Sequence, residues 1–325
     1  MQRRLVIVTI GLTRDFSNLF KEKLMKIAVT GANGLVGRHL CIYLISKGIS
    51  VVSITRKACN IEGASNLILA DFSDIEKASG LIDGCIAIVH LAALTHSPTA
   101  TYSDYSKVNV ELSRAMAKAA AKAGIQTFVY LSSIKVNGEY TIDKPFRHTD
   151  PPTPQDHYGR SKLRAEQALS KDCLNSSIDL IIIRPPLILD RHSRGNIQML
   201  SNAISWHLPL PLANSGNRRD IVSLHNLSSL IYQCLLTPGL SNETLLVSDG
   251  AAMSTTEIVK SLANNGGKRV LLFRMPTFMR AIMSKTPKLK YLYQRLFGNL
   301  EVDINHTLNT VRWQPKAQTP SNLYE

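Results

Sequence analysis

The sequence predicts an α/β fold, a doubly wound parallel sheet of Rossmann type with a smaller C-terminal lobe. Short, continuous apolar runs alternate with segments of helical spacing through the first half of the chain, which is typical of parallel strands covered on both faces. A glycine-rich turn separates the first apolar run from the first helical segment. Beyond about residue 186, Pro, Gly and Asn interrupt the alternation, so we expect a separate lobe there.

Each predicted element follows from its local pattern. The first helix is predicted at 35–48 and a longer one at 104–123, and each ends at a glycine or just before one. A third helix is expected to begin near Tyr158, after the proline-rich run Pro151–Pro154. The predicted strands are 26–31, 50–56, 66–71, 85–93, 127–133 and 179–185.

These elements divide the chain into a dinucleotide-binding domain and a substrate lobe. The domain is expected to span 25–185, and 186–325 is expected to form mainly the lobe. Residues 1–24 precede Met25 and the first strong strand, so they are interpreted as an upstream extension outside the fold.

The composition limits the class of protein. A chain of 325 residues with 44% hydrophobic residues can build one large or two moderate cores. Its five cysteines are scattered and never spaced as Cys-x-x-Cys, which argues against a disulfide framework and against a zinc or other metal site and favours the cytoplasm. No apolar run approaches the roughly 20 residues that span a bilayer.

The charge is strongly positive, at +14 with 38 Lys+Arg against 24 Asp+Glu. Such an excess suits nucleic acid, an anionic membrane surface or phosphorylated small molecules. Nucleic acid is the weakest of the three because no recognisable nucleic-acid-binding motif is present. Basic residues interleave with apolar ones in 278–297. That segment is interpreted as a pair of helices broken at Pro287, with lysines on the solvent-exposed face. The alternative is weak association with a membrane surface.

The motif "TGANGLVG" (30–37) carries three glycines between the first predicted strand and the first helix, at Gly31, Gly34 and Gly37. In this position glycines allow a tight turn and close approach of backbone N–H groups to a pyrophosphate, which the helix N-terminus also favours. The turn therefore predicts a bound dinucleotide, NAD or NADP.

The end of the second predicted strand bears on which of the two is bound. Arg56 and Lys57 stand there without a carboxylate, and positive charge at that place favours the 2′-phosphate of NADP. Asp71, followed by Phe72, ends the third predicted strand and could accept a bond from the adenine amino group or cap the next helix.

Further motifs follow in a fixed order: "HLAAL" (90–94), "YLSSIKVNG" (130–138), "YGRSK" (158–162) and "IIRPP" (182–186). With the glycine turn, they make the chain resemble the extended short-chain dehydrogenase/reductases over about residues 26–315. Within that superfamily it is similar to the UDP-glucose 4-epimerase-like nucleotide-sugar enzymes.

The resemblance implies roles for individual residues. Tyr158 would be the acid/base, Lys162 would supply a cation to its phenolate and hold the nicotinamide ribose, and Ser133 would bond the reacting oxygen, with Ser132 as runner-up. The Tyr and Lys lie four residues apart, so they share one helical face. The implied cofactor-binding residues are Gly31, Asn33, Gly34, Leu35, Val36, Gly37, Arg56, Asp71, Phe72, Leu91, Ala92, Ala93, Asn109, Tyr158, Lys162 and Pro185.

On the substrate side, the resemblance points to Ser133, Asn196 and Arg219. Asn196 would contact the UDP moiety, and Arg219 would grip the diphosphate, a task suited to a guanidinium. Arg218 and Arg184 are further candidates for that grip. His225 would lie near the nucleotide in some relatives, but a structural role is the preferred interpretation.

Two reactions at sugar C4 fit these residues: epimerisation of a UDP-hexose or UDP-N-acetylhexosamine, and reduction of a 4-keto sugar. The charge at Arg56 and Lys57 gives reduction a slight preference, in surface polysaccharide biosynthesis. A non-catalytic NADP-binding protein is a less favoured alternative, because the Tyr, Lys and Ser are all present. The resemblance also implies a homodimer formed through helices 104–123 and 158–170.

Overall fold

The structure is a computed structural model. It describes residues 25–70, 80, 82–95, 97, 99–190, 196–276, 278, 282–283 and 286–317.

A seven-stranded sheet forms the centre of the molecule. All of its strands are parallel and lie in the order β3-β2-β1-β4-β5-β6-β9. The strands are β1 (Lys26–Thr30), β2 (Ser50–Thr55), β3 (Ala64–Ile68), β4 (Ala87–His90), β5 (Thr127–Leu131), β6 (Asp179–Arg184) and β9 (Glu243–Leu246), and a separate parallel pair joins β7 (Leu187–Ile188) to β8 (Ile221–Val222). The expected doubly wound sheet is confirmed.

Helices cover the sheet and build the lobe. They are α1 (Leu35–Ser46), α2 (Tyr102–Ser106), α3 (Leu112–Lys122), α4 (His157–Leu174), α5 (Asn196–Ser205), α6 (Leu224–Leu236), α7 (Thr255–Asn265), α8 (Pro287–Phe297) and α9 (Asn305–Val311). A π-helical turn at Lys107–Glu111 joins α2 to α3, and a 3₁₀ turn at Ile134–Val136 follows β5.

Alternation along the strands explains why helices cover both faces. In β5, Val129 faces one apolar core, and Phe128 and Tyr130 face the other, as the period of two in a strand requires. The first core is completed by residues of α1 and α6, among them Leu40 and Leu230, and the second by residues of α3 and α4. Both faces of the sheet are therefore buried, which is why its strands are continuous apolar runs.

Several bounds differ from the sequence expectation. β3 pairs with β2 only over Ala64–Ile68, so the apolar run predicted at 66–71 does not coincide with the strand. β4 ends at His90 rather than residue 93, because its pairing with β1 ends there. The strand β9 was not predicted, and it joins the sheet from beyond residue 186. The domain boundary near that residue remains a prediction.

The C-terminal lobe has its own apolar cluster. Ile197 and Ile204 from α5 pack with Ile258 and Val259 from α7, and Leu296 from α8 lies against them. The five cysteines are all free thiols. Within the described residues, no helix is both long enough and apolar enough to cross a membrane.

The strand order reverses between β1 and β4, because the chain continues from β1 to β2 on one side and from β4 to β5 on the other. In open α/β sheets, the crevice outside the carboxyl ends of the strands at such a reversal is where ligands bind. The glycine turn follows β1 directly and therefore lies at this crevice.

Candidate active site

The glycine turn packs so closely that side chains are excluded at two positions. Gly31 has φ +68°, and a Cβ there would lie 2.8 Å from the backbone nitrogen of Ala92. A Cβ on Gly37 would lie 2.3 Å from the carbonyl oxygen of Gly31. The first turn of α1 therefore lies directly against the end of β1, as a dinucleotide cradle requires.

The N-terminus of α1 suits an anion. Gly34 is its N-cap, no side chain caps its first N–H groups, and its first turn carries no acidic residue. Asn33 and Gly34 are exposed at the mouth of the turn, and Leu35 and Val36 are partly exposed. The positive end of the helix thus faces outward, and the residues present fit the pyrophosphate of a dinucleotide.

Thr30 builds the other wall of the crevice, and the sequence interpretation did not include it. Its hydroxyl accepts the backbone N–H groups of Leu91 at 3.1 Å and Ala92 at 3.2 Å. The hydroxyl proton then points to Nδ1 of His90, 2.8 Å away. Thr30 therefore ties the end of β1 to the segment after β4, which includes Ala93.

A directed chain of hydrogen bonds continues from Thr30 into the protein. His90 is fully buried, and burial, with a contribution from Lys162, lowers its pKa to about 3, so the imidazole is neutral. With Nδ1 accepting from Thr30, Nε2–H donates to Oγ of Ser113 at 3.0 Å. Ser113 in turn donates to the carbonyl of Asn109 at 2.7 Å.

Asn109 holds the neighbouring helices in place. Its side-chain amide accepts the N–H of Leu94 at 2.8 Å and donates to the carbonyl of Leu94 at 3.0 Å. The amide nitrogen also donates to Oγ of Ser161 on α4 at 2.8 Å. Asn109 lies in the π-helical turn, a feature that often occurs at functional sites. The asparagine thus connects the segment after β4 to the helix that carries Tyr158.

Ser133 and Tyr158 meet at the end of β5. Asp156 caps α4 by accepting the N–H of Gly159 at 2.7 Å, which places Tyr158 in the first turn. The hydroxyl of Ser133 is hydrogen-bonded to the phenol of Tyr158 and lowers its pKa, but burial outweighs this effect and raises that pKa to about 12. The phenol therefore carries its proton at neutral pH in the absence of ligands.

Lys162 lies one turn further along α4, with its ammonium aimed at the sheet. The side chain is 2% exposed, and Nζ donates to the carbonyl of Leu131 at 2.7 Å. Nζ also lies 4.5 Å from the ring centroid of Tyr130 and 6.0 Å from that of Tyr158. Burial lowers the pKa of this lysine to about 7, and Glu166 opposes that shift.

A second lysine, Lys135, was not singled out in the sequence, and its charge is the largest influence that lowers the pKa of Tyr158. Lys135 lowers the pKa of the phenol more than the Ser133 hydrogen bond does. Its Nζ lies 2.6 Å from Asp156 and 2.9 Å from Glu139, and its backbone N–H donates to Oγ of Ser133 at 3.3 Å. Lys135 therefore contacts both the serine and the cap of the helix that carries the tyrosine.

Ser132 has a different partner from Ser133. Its hydroxyl donates to the carboxylate of Glu166. The same carboxylate accepts hydrogen bonds from Nη2 of Arg184 at 2.6 Å and from Nε of Arg184 at 3.0 Å. Nη1 of Arg184 donates to Oδ1 of Asn137 at 3.0 Å. These groups form a closed, buried network beneath the crevice, so Ser133 is the serine available to a ligand and Arg184 is occupied in the network.

Arg219 lies near a second guanidinium group, that of Arg295. Its Nη1 donates to the carbonyl of Gly298 at 2.8 Å, and its backbone bonds Met253 in both directions at 2.9 Å. Burial lowers its pKa to about 10, and the charge of Arg295 contributes. Two guanidinium groups are thus close enough to repel each other, an arrangement that an anion would stabilise.

Arg295 and Tyr291 both belong to α8. The guanidinium of Arg295 lies 5.3 Å from the ring centroid of Tyr291. The charge of Arg295 contributes to lowering the pKa of Asp156. Burial raises the pKa of the Tyr291 phenol, and the charge of Lys135 opposes that shift. Sequence reasoning assigned neither residue, and the only signal was the run of basic and aromatic residues in 278–297.

Comparisons with known proteins agree with this geometry. The sequence model described as "NAD dependent epimerase/dehydratase family" matches residues 27–242. A UDP-glucose 4-epimerase from Vibrio cholerae is 33% identical over 309 residues, covering 92% of each chain. The chain belongs to the NAD dependent epimerase/dehydratase family. The expected extended short-chain dehydrogenase/reductase, an enzyme that uses NAD or NADP, is thereby confirmed.

Solved structures of similar fold support the architecture. MoeE5 in complex with UDP-glucose and NAD superposes with a TM-score of 0.74 at 20% identity, covering 92% of this chain and 96% of that one. UDP-N-acetylglucosamine 4-epimerase from Bacillus cereus gives a TM-score of 0.74 at 19% identity, covering 92% and 94%. At these identities, the likeness shows that the family's fold is present throughout.

The structure locates some of the remaining predicted cofactor and substrate residues but not others. Arg56 and Lys57 are exposed just beyond β2, beside the glycine turn because Gly31 N–H donates to the carbonyl of Ile54 at 3.0 Å. The carbonyl of Pro185 accepts the N–H of Ile134 at 2.9 Å, so its backbone braces the turn after Ser133. Asp71, Phe72 and the side chain of Asn196 lie outside the described residues.

Two alternative candidates are occupied elsewhere. Arg218 is exposed and pairs with Glu301 at 2.6 Å. His225 packs edge-on against Tyr43, with ring centroids 5.6 Å apart, and burial lowers its pKa. This contact is between α6 and α1, and it is the structural role that the sequence interpretation preferred for the histidine.

Proposed function

We propose that the protein is a 4-epimerase of a UDP-hexose or UDP-N-acetylhexosamine that works with bound NAD. One observation carries the proposal: Ser133 and Tyr158 share a hydrogen bond at the crevice formed by the glycine turn and Thr30, with Lys162 one turn away. The full-length similarity to a UDP-glucose 4-epimerase supports the choice of reaction.

The side chains would handle the proton on the sugar oxygen. When bound, NAD would take the hydride from C4 and, after the 4-keto sugar has rotated, return it to the opposite face of that carbon. Tyr158 would receive the O4 proton as hydride leaves and donate it back as hydride returns, while Ser133 would bond O4 through both steps. Burial holds the pKa of the phenol at about 12 even with the charge of Lys135 nearby. The first step therefore needs further positive charge, which Lys162, one turn along the helix, would supply.

The diphosphate of the substrate would lie against Arg219 and Arg295. Burial lowers the pKa of Arg219, and repulsion by the charge of Arg295 lowers it further. A diphosphate between them would remove that repulsion and accept bidentate bonds from each. Asn196, at the start of α5, remains a prediction for the uridine contact.

Reduction of a 4-keto sugar is the second candidate. It uses the same Tyr, Ser and Lys and needs only the return of hydride. Arg56 and Lys57 favour it, because exposed cations beside the glycine turn suit the 2′-phosphate of NADPH. The similarity to an epimerase over 92% of both chains nevertheless favours epimerisation. The homodimer remains a prediction under either reaction.

The test is direct. Purified protein is incubated with UDP-glucose and, separately, with UDP-N-acetylglucosamine, without added cofactor, and the products are separated by anion-exchange chromatography and identified by NMR. The galacto epimer is expected from at least one substrate, with NAD found by mass spectrometry in the purified protein. Oxidation of NADPH by a UDP-4-keto sugar, with no epimer from either UDP-sugar, would instead establish the reductase.

A Tyr158→Phe variant separates catalysis from cofactor binding. It removes the acid/base but leaves the ring, so NAD content should stay the same while turnover falls by about 10²-fold or more. If this variant turns over at the wild-type rate, the hydroxyl takes no part in the reaction.

A further inference from the structure

The C-terminal lobe exposes large apolar side chains on one side. Trp206 is 71% exposed, Leu208 46%, Leu271 65% and Phe273 40%. These four residues are called the apolar face below. Large apolar side chains on a surface are ordinary when scattered, but a contiguous group marks an interaction site.

Backbone pairing brings the two segments that carry these residues side by side. Leu210 N–H donates to the carbonyl of Leu271 at 2.9 Å, and Phe273 N–H donates to the carbonyl of Leu210 at 3.0 Å. Leu272 packs against the lobe's own cluster, so Leu271 and Phe273 point outward because neighbours in an extended segment alternate. Nζ of Lys268 donates to Oγ of Ser205 at 2.7 Å, which links the two segments a second time beside Trp206.

The sequence around this face contains no carboxylate. Between Glu257 and Glu301 there is no Asp or Glu, and the same holds for 196–217. Over 258–300 the basic residues are Lys260, Lys268, Arg269, Arg274, Arg280, Lys285, Lys288, Lys290 and Arg295. Of these, Arg269 and Arg274 are exposed immediately beside Leu271 and Phe273. The apolar face is therefore bordered by positive charge, and the two segments that form it carry no carboxylate.

We propose that the apolar face docks on the surface of an anionic lipid bilayer. Tryptophan and phenylalanine insert favourably at the boundary between head groups and acyl chains, and arginine beside them pairs with lipid phosphates. Positive charge without carboxylates also disfavours the main alternative, a second copy of the chain, because two such faces repel each other. An anionic bilayer satisfies both the apolar and the charged parts.

The apolar face and the proposed diphosphate site belong to the same lobe. Leu272 beneath the face and Leu296 of α8 pack into the same apolar cluster. Arg295 and Tyr291 belong to that helix, so the face and the proposed diphosphate site are carried by one packed lobe. The docking inference rests on the surface alone and does not depend on which C4 reaction is catalysed.

Vesicle co-sedimentation of the full chain tests the proposal. The protein should bind vesicles of phosphatidylcholine with phosphatidylglycerol at low salt, bind pure phosphatidylcholine poorly, and dissociate at high salt. The double variant Arg269→Glu/Arg274→Glu and the variant Trp206→Ser should each bind the anionic vesicles about tenfold more weakly or worse. Their activity on a water-soluble UDP-sugar should be unchanged, which also shows that they fold.

Two matched controls alter exposed residues away from the face. Ile142 is 76% exposed and Lys47 is an exposed residue just after α1, so Ile142→Ser and Lys47→Glu should bind anionic vesicles as the wild type does. Failure of the wild type to bind anionic vesicles at low salt overturns the proposal. Wild-type binding by the Trp206→Ser and arginine variants overturns it as well. A dimer that dissociates on Trp206→Ser would assign the face to a second copy instead.

Discussion

Replacement of Lys162 by methionine should stabilise the protein while removing activity. The side chain is 2% exposed, and burial lowers its pKa from 10.5 to about 7. The unfolded chain therefore binds more protons than the folded protein between about pH 7 and pH 10.5, and this lysine's contribution to stability rises with pH across that window. Below about pH 7 the folded protein binds this proton too, so the destabilisation caused by burying Lys162 reaches its maximum and no longer changes with pH.

The size of the effect follows from the same shift. Compared with a side chain that cannot bind a proton, Lys162 destabilises the folded protein by about 4 kcal/mol at pH 7 and about 2 kcal/mol at pH 9, as calculated from the difference between its unfolded and folded pKa values. Methionine loses the hydrogen bond to the Leu131 carbonyl, worth about 1 kcal/mol. Lys162→Met should therefore raise the free energy of unfolding by about 3 kcal/mol at pH 7 and about 1 kcal/mol at pH 9.

Lys135→Met is the matched control, with the opposite sign. This lysine is mostly buried, but Glu139 and Asp156 raise its pKa above the ordinary value despite burial. A raised pKa gives stability that is fully present below 10.5 and is lost only as pH rises through the folded value. Lys135→Met should thus lower the free energy of unfolding by about 1 to 3 kcal/mol, equally at pH 7 and pH 9.

Urea unfolding of the wild type and both variants, followed by fluorescence at the two pH values, measures these differences. The reasoning is refuted if Lys162→Met is less stable than the wild type, or if its effect does not change with pH. Either result would mean that the lysine is solvated or ion-paired in the folded protein.

Three further predictions address the cradle, the buried network and the diphosphate site. Gly37→Ala should weaken NAD binding by about tenfold or more in calorimetry, because its Cβ would fall 2.3 Å from a backbone oxygen. Glu166→Gln should cost about 3 to 5 kcal/mol in chemical denaturation, since it leaves the buried Arg184 charge unpaired; Asp172→Asn, in an exposed ion pair, should cost less than about 1 kcal/mol. Arg219→Gln should raise KM for the UDP-sugar about tenfold or more with a smaller change in kcat; an unchanged KM would remove it from the diphosphate site.

Local patterns in the sequence were enough to predict six strands of the sheet and the glycine turn, and the family resemblance supplied the proposed roles of Tyr158, Lys162 and Ser133. The glycine spacing located the turn at the crevice because tight backbone approach tolerates no other residue there. The four-residue interval between Tyr158 and Lys162 was informative because helix geometry alone places them on one face. Ser133 was chosen over Ser132 by resemblance, and the structure gives the physical reason, since Ser132 bonds the buried Glu166.

Long-range contacts account for what the sequence did not predict. Thr30 is an unremarkable strand residue until folding brings the segment after β4 against its hydroxyl. Lys135 gains its influence from Asp156, which is 21 residues away, and no short motif encodes that pairing. The strand β9 is four residues long, and its burial does not alternate, since two half-buried residues are followed by two buried ones. Its place beside β6 therefore depends on tertiary pairing rather than on periodicity.

The most direct test of the proposed chemistry follows one atom. UDP-glucose labelled with deuterium at C4 is incubated with the protein, and the label in the recovered sugars is measured by mass spectrometry and NMR. Hydride transfer with Tyr158 moving only the O4 proton predicts a galacto epimer that retains deuterium at C4. Epimer that has exchanged its deuterium for solvent hydrogen would contradict the account, because the C4 hydrogen would then have left as a proton.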